Sequence, residues 1–257
     1  MVGAMPSRGF FDWMFSRGPH EREATDAADA LKITMRTTAK CRYNASVRLQ
    51  HQGKFAFFTT TVLSLGLVFI PLMQNAGVPL ALKTNALNMM QIFLAVSVLV
   101  YSVVIGTARY EVRAEQLTEC GDKLKELIRE ISKDREENEG KIPPATLADF
   151  NQRYSDIVTD VENHARNDYR FATLEMIDEY FISGLPRLKL YLQGQFVRAS
   201  AYVLPLALMF MEAIFISDMM GATNILAPYL NGTVVAAHFA AQPPESNPSC
   251  GHERQCP

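Results

Sequence analysis

Between Lys54 and Arg109 the chain runs for 54 residues with one charged side chain, Lys83. The other 203 of its 257 residues hold the remaining 51 charges, about a quarter of their number. A soluble core helix usually keeps a charged face. So complete a sweep excludes an ordinary water-soluble globule and argues against two buried helices in a large soluble core. The rest of the composition narrows the classes further. Lys and Arg number 25 and Asp and Glu 27, a net charge of −2. That balance excludes a general nucleic-acid binder working through a strongly basic surface, and no direct nucleic-acid binding is expected. Four cysteines, Cys41, Cys120, Cys250 and Cys256, are too few and too scattered for a disulfide scaffold.

Inside the swept block are two apolar runs. Phe55–Met73 is 19 uncharged residues and Leu87–Gly106 is 20. At about 1.5 Å per residue, a helix of this length covers about 29 Å, close to a hydrocarbon core of about 30 Å. The connection carries Gly77, Pro79 and Asn85, which favour turns. The expected element over 55–108 is a two-helix transmembrane hairpin. Its first run starts too far along the chain to be a cleaved leader.

Flanking charge gives an orientation. Residues 30–54 carry Lys32, Arg36, Lys40, Arg42, Arg48 and Lys54 and no acid, and Arg109 and Arg113 follow the second run. The positive-inside bias then places both ends in the cytoplasm, with the connection outside. The expected location is the bacterial inner (cytoplasmic) membrane with a cytoplasmic N-terminus.

The flanking segments read as follows. Residues 1–20 form an aromatic-rich tail, with Phe10, Phe11, Trp13, Met14 and Phe15 between Arg8 and Arg17. It fits either a bilayer interface or an unstructured tail. Residues 21–54 form a basic pre-membrane helix, with acids early and bases late. It either lies on the membrane or stands as a stalk. After the second span, Leu117, Cys120, Leu124, Leu127 and Ile131 recur at three and four. The span is therefore expected to continue unbroken as one helix to about Lys133. The charged linker Asp134–Pro144 follows, then a second amphipathic helix with Phe150, Tyr154, Ile157 and Val161 on one face. Residues 109–198 read as a cytoplasmic helical hairpin, with Leu117, Leu124, Leu127 and Ile131 packing on Phe150, Tyr154, Ile157 and Val161 within or between subunits. No strands of note are expected.

Residues 199–218 are a third apolar segment, with Pro205 to kink it and Glu212 inside it. It reads as a span, a re-entrant or interfacial segment, or a core helix. An ionisable residue at membrane depth is a functional candidate by default. Residues 219–257 read as a mostly disordered tail. Cys250, His252 and Cys256 there have no metal-site spacing, so no metal and no cofactor is assigned.

No phosphate-binding glycine loop, nucleophile elbow or metalloprotease motif is present, and the five histidines are scattered, so no enzyme is expected. The second span does carry a pattern. At about 100° per residue, Thr84, Asn88, Gln91, Ala95, Ser102, Gly106, Arg109 and Arg113 fall along one line. Thr60 and Ser64 form a weaker stripe on the first span. Polar groups turn away from lipid. These stripes therefore serve either helix packing or a pore lined by several hairpins; two helices alone cannot enclose a channel.

Residues 36–54 read RTTAKCRYNASVRLQHQGK, and the second span exits through Tyr110, Arg113, Ala114, Leu117, Cys120, Leu124 and Leu127. A basic helix, two spans and a long helix with that run resemble the SLATT domains over about residues 30–185, although Tyr43–Leu49 matches the family's first element imperfectly. The resemblance implies a membrane effector of a bacterial anti-phage system. Such effectors are proposed to assemble as pores that kill or arrest an infected cell. It implies as partners a nucleotide second messenger, or a co-encoded nucleotidyltransferase or reverse transcriptase. No ligand-contact residues carry over.

The expected fold is an all-α membrane protein: a transmembrane hairpin, a long cytoplasmic helical hairpin and a candidate third membrane segment. The expected function is a homo-oligomeric effector that opens a pore or disrupts the inner membrane when triggered. The alternative is a non-conducting membrane scaffold whose cytoplasmic helices dock a partner protein.

Overall fold

A computed structural model describes residues 20–230. In chain order the elements are β1 (His20–Glu21), α1 (Ala27–Asn75), α2 (Thr84–Ala108), α3 (Tyr110–Glu137), α4 (Pro144–Thr159), α5 (Arg166–Glu175), β2 (Tyr180–Phe181), α6 (Gly184–Ser200), α7 (Val203–Met219) and α8 (Ala227–Leu230). The described residues are all-α apart from one two-residue antiparallel ladder, His20 opposite Phe181 and Glu21 opposite Tyr180. The chain divides into two compact units. Among the described residues, one holds residues 20–61 together with Val100–Ala207; the other holds Val62–Leu99 and residues 208–230.

The first unit is built on a three-helix bundle. The expected basic helix starts later than the sequence pattern implies, at Ala27, because Asp26 caps it: the Asp29 N–H donates to Asp26 Oδ1 at 2.7 Å. From there α1 runs without interruption into the first apolar run, and its basic half packs against α3 and α4. Met35, Ala39, Ala45 and Leu49 on α1 are buried against α3 and α4. Leu127 and Ile131 meet Phe150, Tyr154 and Ile157 around Met35. Leu124 and Cys120 meet Tyr154, Ile157 and Val161 around Ala39, and Leu117 meets Val161 beside Leu49. The helices approach closely where side chains are small. A Cβ on Gly121 would lie 2.8 Å from the Tyr43 ring. Burial raises the Cys41 thiol to about 12 and raises Cys120 as well.

The expected unbroken exit from the second span is broken at Arg109, which adopts a left-handed conformation (φ 47°, ψ 44°) between α2 and α3. No proline causes this. Thr107 bonds back to the carbonyls of Val103 and Val104, a contact that bends helices. Arg113 caps the freed end, donating from Nη1 to the Ala108 carbonyl at 3.1 Å. Gly53 on α1 then admits Tyr110, whose Cβ would be only 3.1 Å from a Cβ at position 53.

The hairpin α3–α4 is present, and its linker turns through Glu139 (φ 53°) and Gly140 (φ 91°) before Pro144 opens α4. The chain does not stop there. α5 and α6 follow and pack on each other, Gly194 lying under the Phe171 ring. Acids of this returning segment meet the basic row of α1. Arg36 pairs with Glu179 at 3.2 Å, Lys40 with Glu175 at 2.6 Å, and Arg48 with Asp168 through two bonds of 2.9 and 3.0 Å. Those bonds raise the Arg48 guanidinium further above its ordinary value. Arg42, 1% exposed, donates to the Glu162 carbonyl.

The second unit packs the end of α1, the first part of α2, α7 and α8 around Leu63, Ile70, Leu87, Met90, Leu94, Phe215 and Met219. Residues 219–230, expected to begin a disordered tail, are folded back by Asp218. Its carboxylate accepts from the Thr223 hydroxyl and from the backbone N–H groups of Ile225, Leu226 and Ala227. The Ala81 N–H in the hairpin connection donates to the Met219 carbonyl at 3.0 Å. The aromatic cluster of residues 10–15, and Cys250, His252 and Cys256, lie outside the described residues.

Candidate functional site in the membrane hairpin

Among the described residues two helices are long and apolar enough to cross a bilayer: α1, and the stretch opening with α2 at Thr84. A third crossing is available only if α6 and α7 count as one span, bent by 54° at the break between Ser200 and Val203.

The polar stripe of α2 sits off the chain's own packed face. The buried side chains of α2 are Ala86, Leu87, Met90 and Leu94. At 100° per residue their centre is about 100° around the helix from the stripe. Accordingly Thr84, Asn88, Ser102 and Gly106 are exposed, and a Cβ on Gly106 would meet nothing within 4 Å. Gln91 is the exception. It is half-buried and its Nε2 donates to Gln74 Oε1, at the end of the first span, at 2.6 Å. Thr60 and Ser64 are half-buried on α1, and the Thr60 hydroxyl is satisfied by the Ala56 carbonyl. Large apolar side chains cover much of the remaining α2 surface: Ile92, Val96, Leu99, Val100 and Val103 are all exposed.

Glu212 is buried at 2% exposure on α7, with neither carboxyl oxygen hydrogen-bonded. It fills a notch in α1. A Cβ on Gly66 would overlap Oε1 and lie 2.6 Å from Cδ. The packing residues Leu117, Leu124, Leu127, Ile131 and Phe150 are buried inside one chain, with Tyr154, Ile157 and Val161 half-buried beside them.

Sequence reasoning passed over Gln74, Gly66, Asp218 and the acids that meet α1. It also passed over the outer face of α6, where Leu185, Leu188, Leu192 and Phe196 are exposed at spacings of three, four and four. That face borders a groove of about 610 Å³ between α5 and α6, lined by Phe171, Leu174 and Tyr191 among others. The same α6 spacing in the sequence is a legible amphipathic signal. Among the described residues no group of three or more His, Cys, Asp or Glu side chains is placed to hold a metal ion.

An all-helical chain with two membrane-length helices, a polar stripe on the second and a helical bundle beyond it defines a two-span membrane protein. The SMODS and SLOG-associating 2TM effector domain family 5 (SLATT_5) matches residues 25–217, and the chain belongs to that family. The family makes it a membrane effector in defence systems. Comparison with curated proteins and with solved structures returns no match.

Proposed function

We propose that this chain is the effector of a bacterial anti-phage system and that it kills or arrests the cell by assembling into a pore in the inner membrane. In this reading several hairpins associate, and the α2 stripes of Thr84, Asn88, Ser102 and Gly106 turn toward a shared water-filled path. The observation that carries it is their exposure: Asn88 and Ser102 are polar residues within the apolar run that the chain's own packing leaves uncovered, on the same line as Thr84 and Gly106 and on a helix otherwise sheathed in exposed apolar side chains. Lipid is a poor neighbour for them, so a second copy or water must meet them. Both termini of the hairpin lie in the cytoplasm, where the helical bundle receives the trigger. A nucleotide second messenger, or a co-encoded nucleotidyltransferase or reverse transcriptase, supplies that trigger. No catalysis and no cofactor is involved.

The test is membrane depolarisation in cells making the triggered protein, paired with a crosslinking measure of the oligomer. Asn88→Leu and Ser102→Leu should each reduce depolarisation with the oligomer intact. Leu99→Phe, on the apolar side, should leave it unchanged. Normal depolarisation in both stripe variants would mean the stripe lines no conducting path. An unmutated, triggered protein that binds a partner and never depolarises the membrane would establish the scaffold reading instead.

A further inference from the structure

We propose that Glu212 is a proton-binding site of the membrane unit: it sits neutral in the notch that Gly66 opens in α1, and loss of its proton expels the side chain and loosens α7 from α1. The notch is specific to glycine, because any Cβ at position 66 would occupy the space of the carboxyl group. The surroundings are apolar. One turn from Gly66 on α1 stand Leu63 and Ile70, and one turn from Glu212 on α7 stand Leu208 and Phe215, all in one hydrophobic cluster. Among the described residues of this unit the titratable groups besides Glu212 are Lys83 in the hairpin connection, Asp218 and Tyr229. Asp218 lies nearly two turns further along α7 and is already held by four hydrogen-bond donors. Tyr229 on α8 is exposed. Gly66 is eleven residues into the run that begins at Phe55, about 16 Å deep and so near the middle of a hydrocarbon core of about 30 Å.

A carboxylate with no donor and no counter-ion in such a place is far costlier than a carboxylic acid. The seated form therefore carries the proton. The ionised form is driven toward any water it can reach, and it leaves behind an empty notch between two helices. The site thus couples one proton to the contact of the third apolar segment with the first. It does so whether or not the assembly conducts, so it stands apart from the pore reading.

The experiment uses the full chain in membrane vesicles and the membrane-permeant reagent dicyclohexylcarbodiimide. The carboxyl O–H proton moves to a carbodiimide nitrogen as the carboxyl oxygen bonds to the central carbon. The resulting O-acylisourea rearranges to an N-acylurea with the same atoms, so nothing leaves and the adduct is stable. Peptide mapping should find the adduct at Glu212, and none at that position in Glu212→Gln. The labelling rate should fall about tenfold for each pH unit above the site's midpoint, following the protonated fraction. Helix contact is read separately, by disulfide formation between cysteines placed at Leu63 and Phe215. Raising the pH should lower its yield relative to the same pair in Glu212→Gln, where no proton can leave. Labelling that is absent at Glu212 or independent of pH overturns the proton site. A crosslink ratio that does not change with pH overturns the coupling to α7.

Discussion

Arg48→Ala separates two accounts of the acid-free stretch before the first span. If those basic residues served only to orient the chain in the membrane, removing one would leave the fold untouched. The structure gives Arg48 a second role. Its guanidinium holds Asp168 through two bonds of 2.9 and 3.0 Å, and the Asp168 side chain is 3% exposed. The one other donor to that carboxylate is the Ala165 N–H at 3.0 Å, which caps α5. Truncating Arg48 thus strips a buried carboxylate of two of its three donors. Breaking a buried pair from one side costs about 3–5 kcal/mol. The Arg48 side chain keeps some contact with water, at 23% exposure, so the lower end, about 3 kcal/mol, applies. At about 2–4 °C per kcal/mol for a chain of this size, the midpoint of thermal unfolding should drop by about 6–12 °C. The assay is thermal unfolding of the purified full chain in detergent, read by loss of protease protection across α5 and α6. A double-mutant cycle with Asp168→Ala isolates the pair, since removing both partners leaves no orphaned charge. A coupling below about 0.5 kcal/mol would refute the argument that the row is a docking face.

Leu124→Ala, at a fully buried position between α1, α3 and α4, should destabilise the same unit by about 2–5 kcal/mol, measured by the same midpoint. Burial, and then the Arg42 guanidinium, hold the His164 imidazole below its ordinary 6.5. The folded chain therefore binds fewer protons there than the unfolded one. Stability should be constant above about pH 6.5 and fall as pH drops through it, a slope that His164→Gln should remove in unfolding scans at stepped pH. Maleimide labelling of intact cells should reach a cysteine at Val78 from outside, and one at Lys125 only after the inner membrane is opened; outside labelling at 125 would invert the topology. The buried native thiols Cys41 and Cys120 should stay unlabelled until the chain unfolds. Leu188→Glu with Leu192→Glu on the exposed face of α6 should lower crosslinked oligomer if that face is used in assembly, with the unfolding midpoint unchanged.

The features legible in the sequence are those with a one-dimensional physical cause. A membrane excludes charge over a fixed thickness, so the swept block from Phe55 to Ala108 announced both spans before any contact was known. The heptad-like recurrence of Leu117, Leu124, Leu127 and Ile131 likewise marked the buried face of α3, because a helix maps spacing directly onto a face. Pro144 closes the linker and opens α4, where its missing N–H forfeits no helical bond. The break at Arg109 is marked by no proline or glycine, and Tyr110 just beyond it packs on Gly53 of another helix, a pairing invisible to local periodicity.

The basic row shows where one-dimensional reading misassigns a cause as well as missing one. Lys32, Arg36, Lys40 and Arg48 recur at intervals of four or eight residues, a spacing that a bias counting only Lys and Arg near the span does not require. Three of them meet acids more than a hundred residues away, in a segment whose own pattern gave no strand and no partner. A positive flank that exists only to set orientation tolerates its charges anywhere near the span. One that also receives a packed segment fixes each charge opposite its acid, as Arg36, Lys40 and Arg48 are. The same logic separates the intramembrane acids. Glu212 was conspicuous because its charge is out of place, and its environment in the fold is unpaired. Asp218, six residues on, ends the same apolar run, yet the fold surrounds it with donors and makes it the clasp of the loop that follows. Only the backbone N–H groups folded back over Asp218, and the glycine opposite Glu212, distinguish a structural carboxylate from one left free to bind a proton.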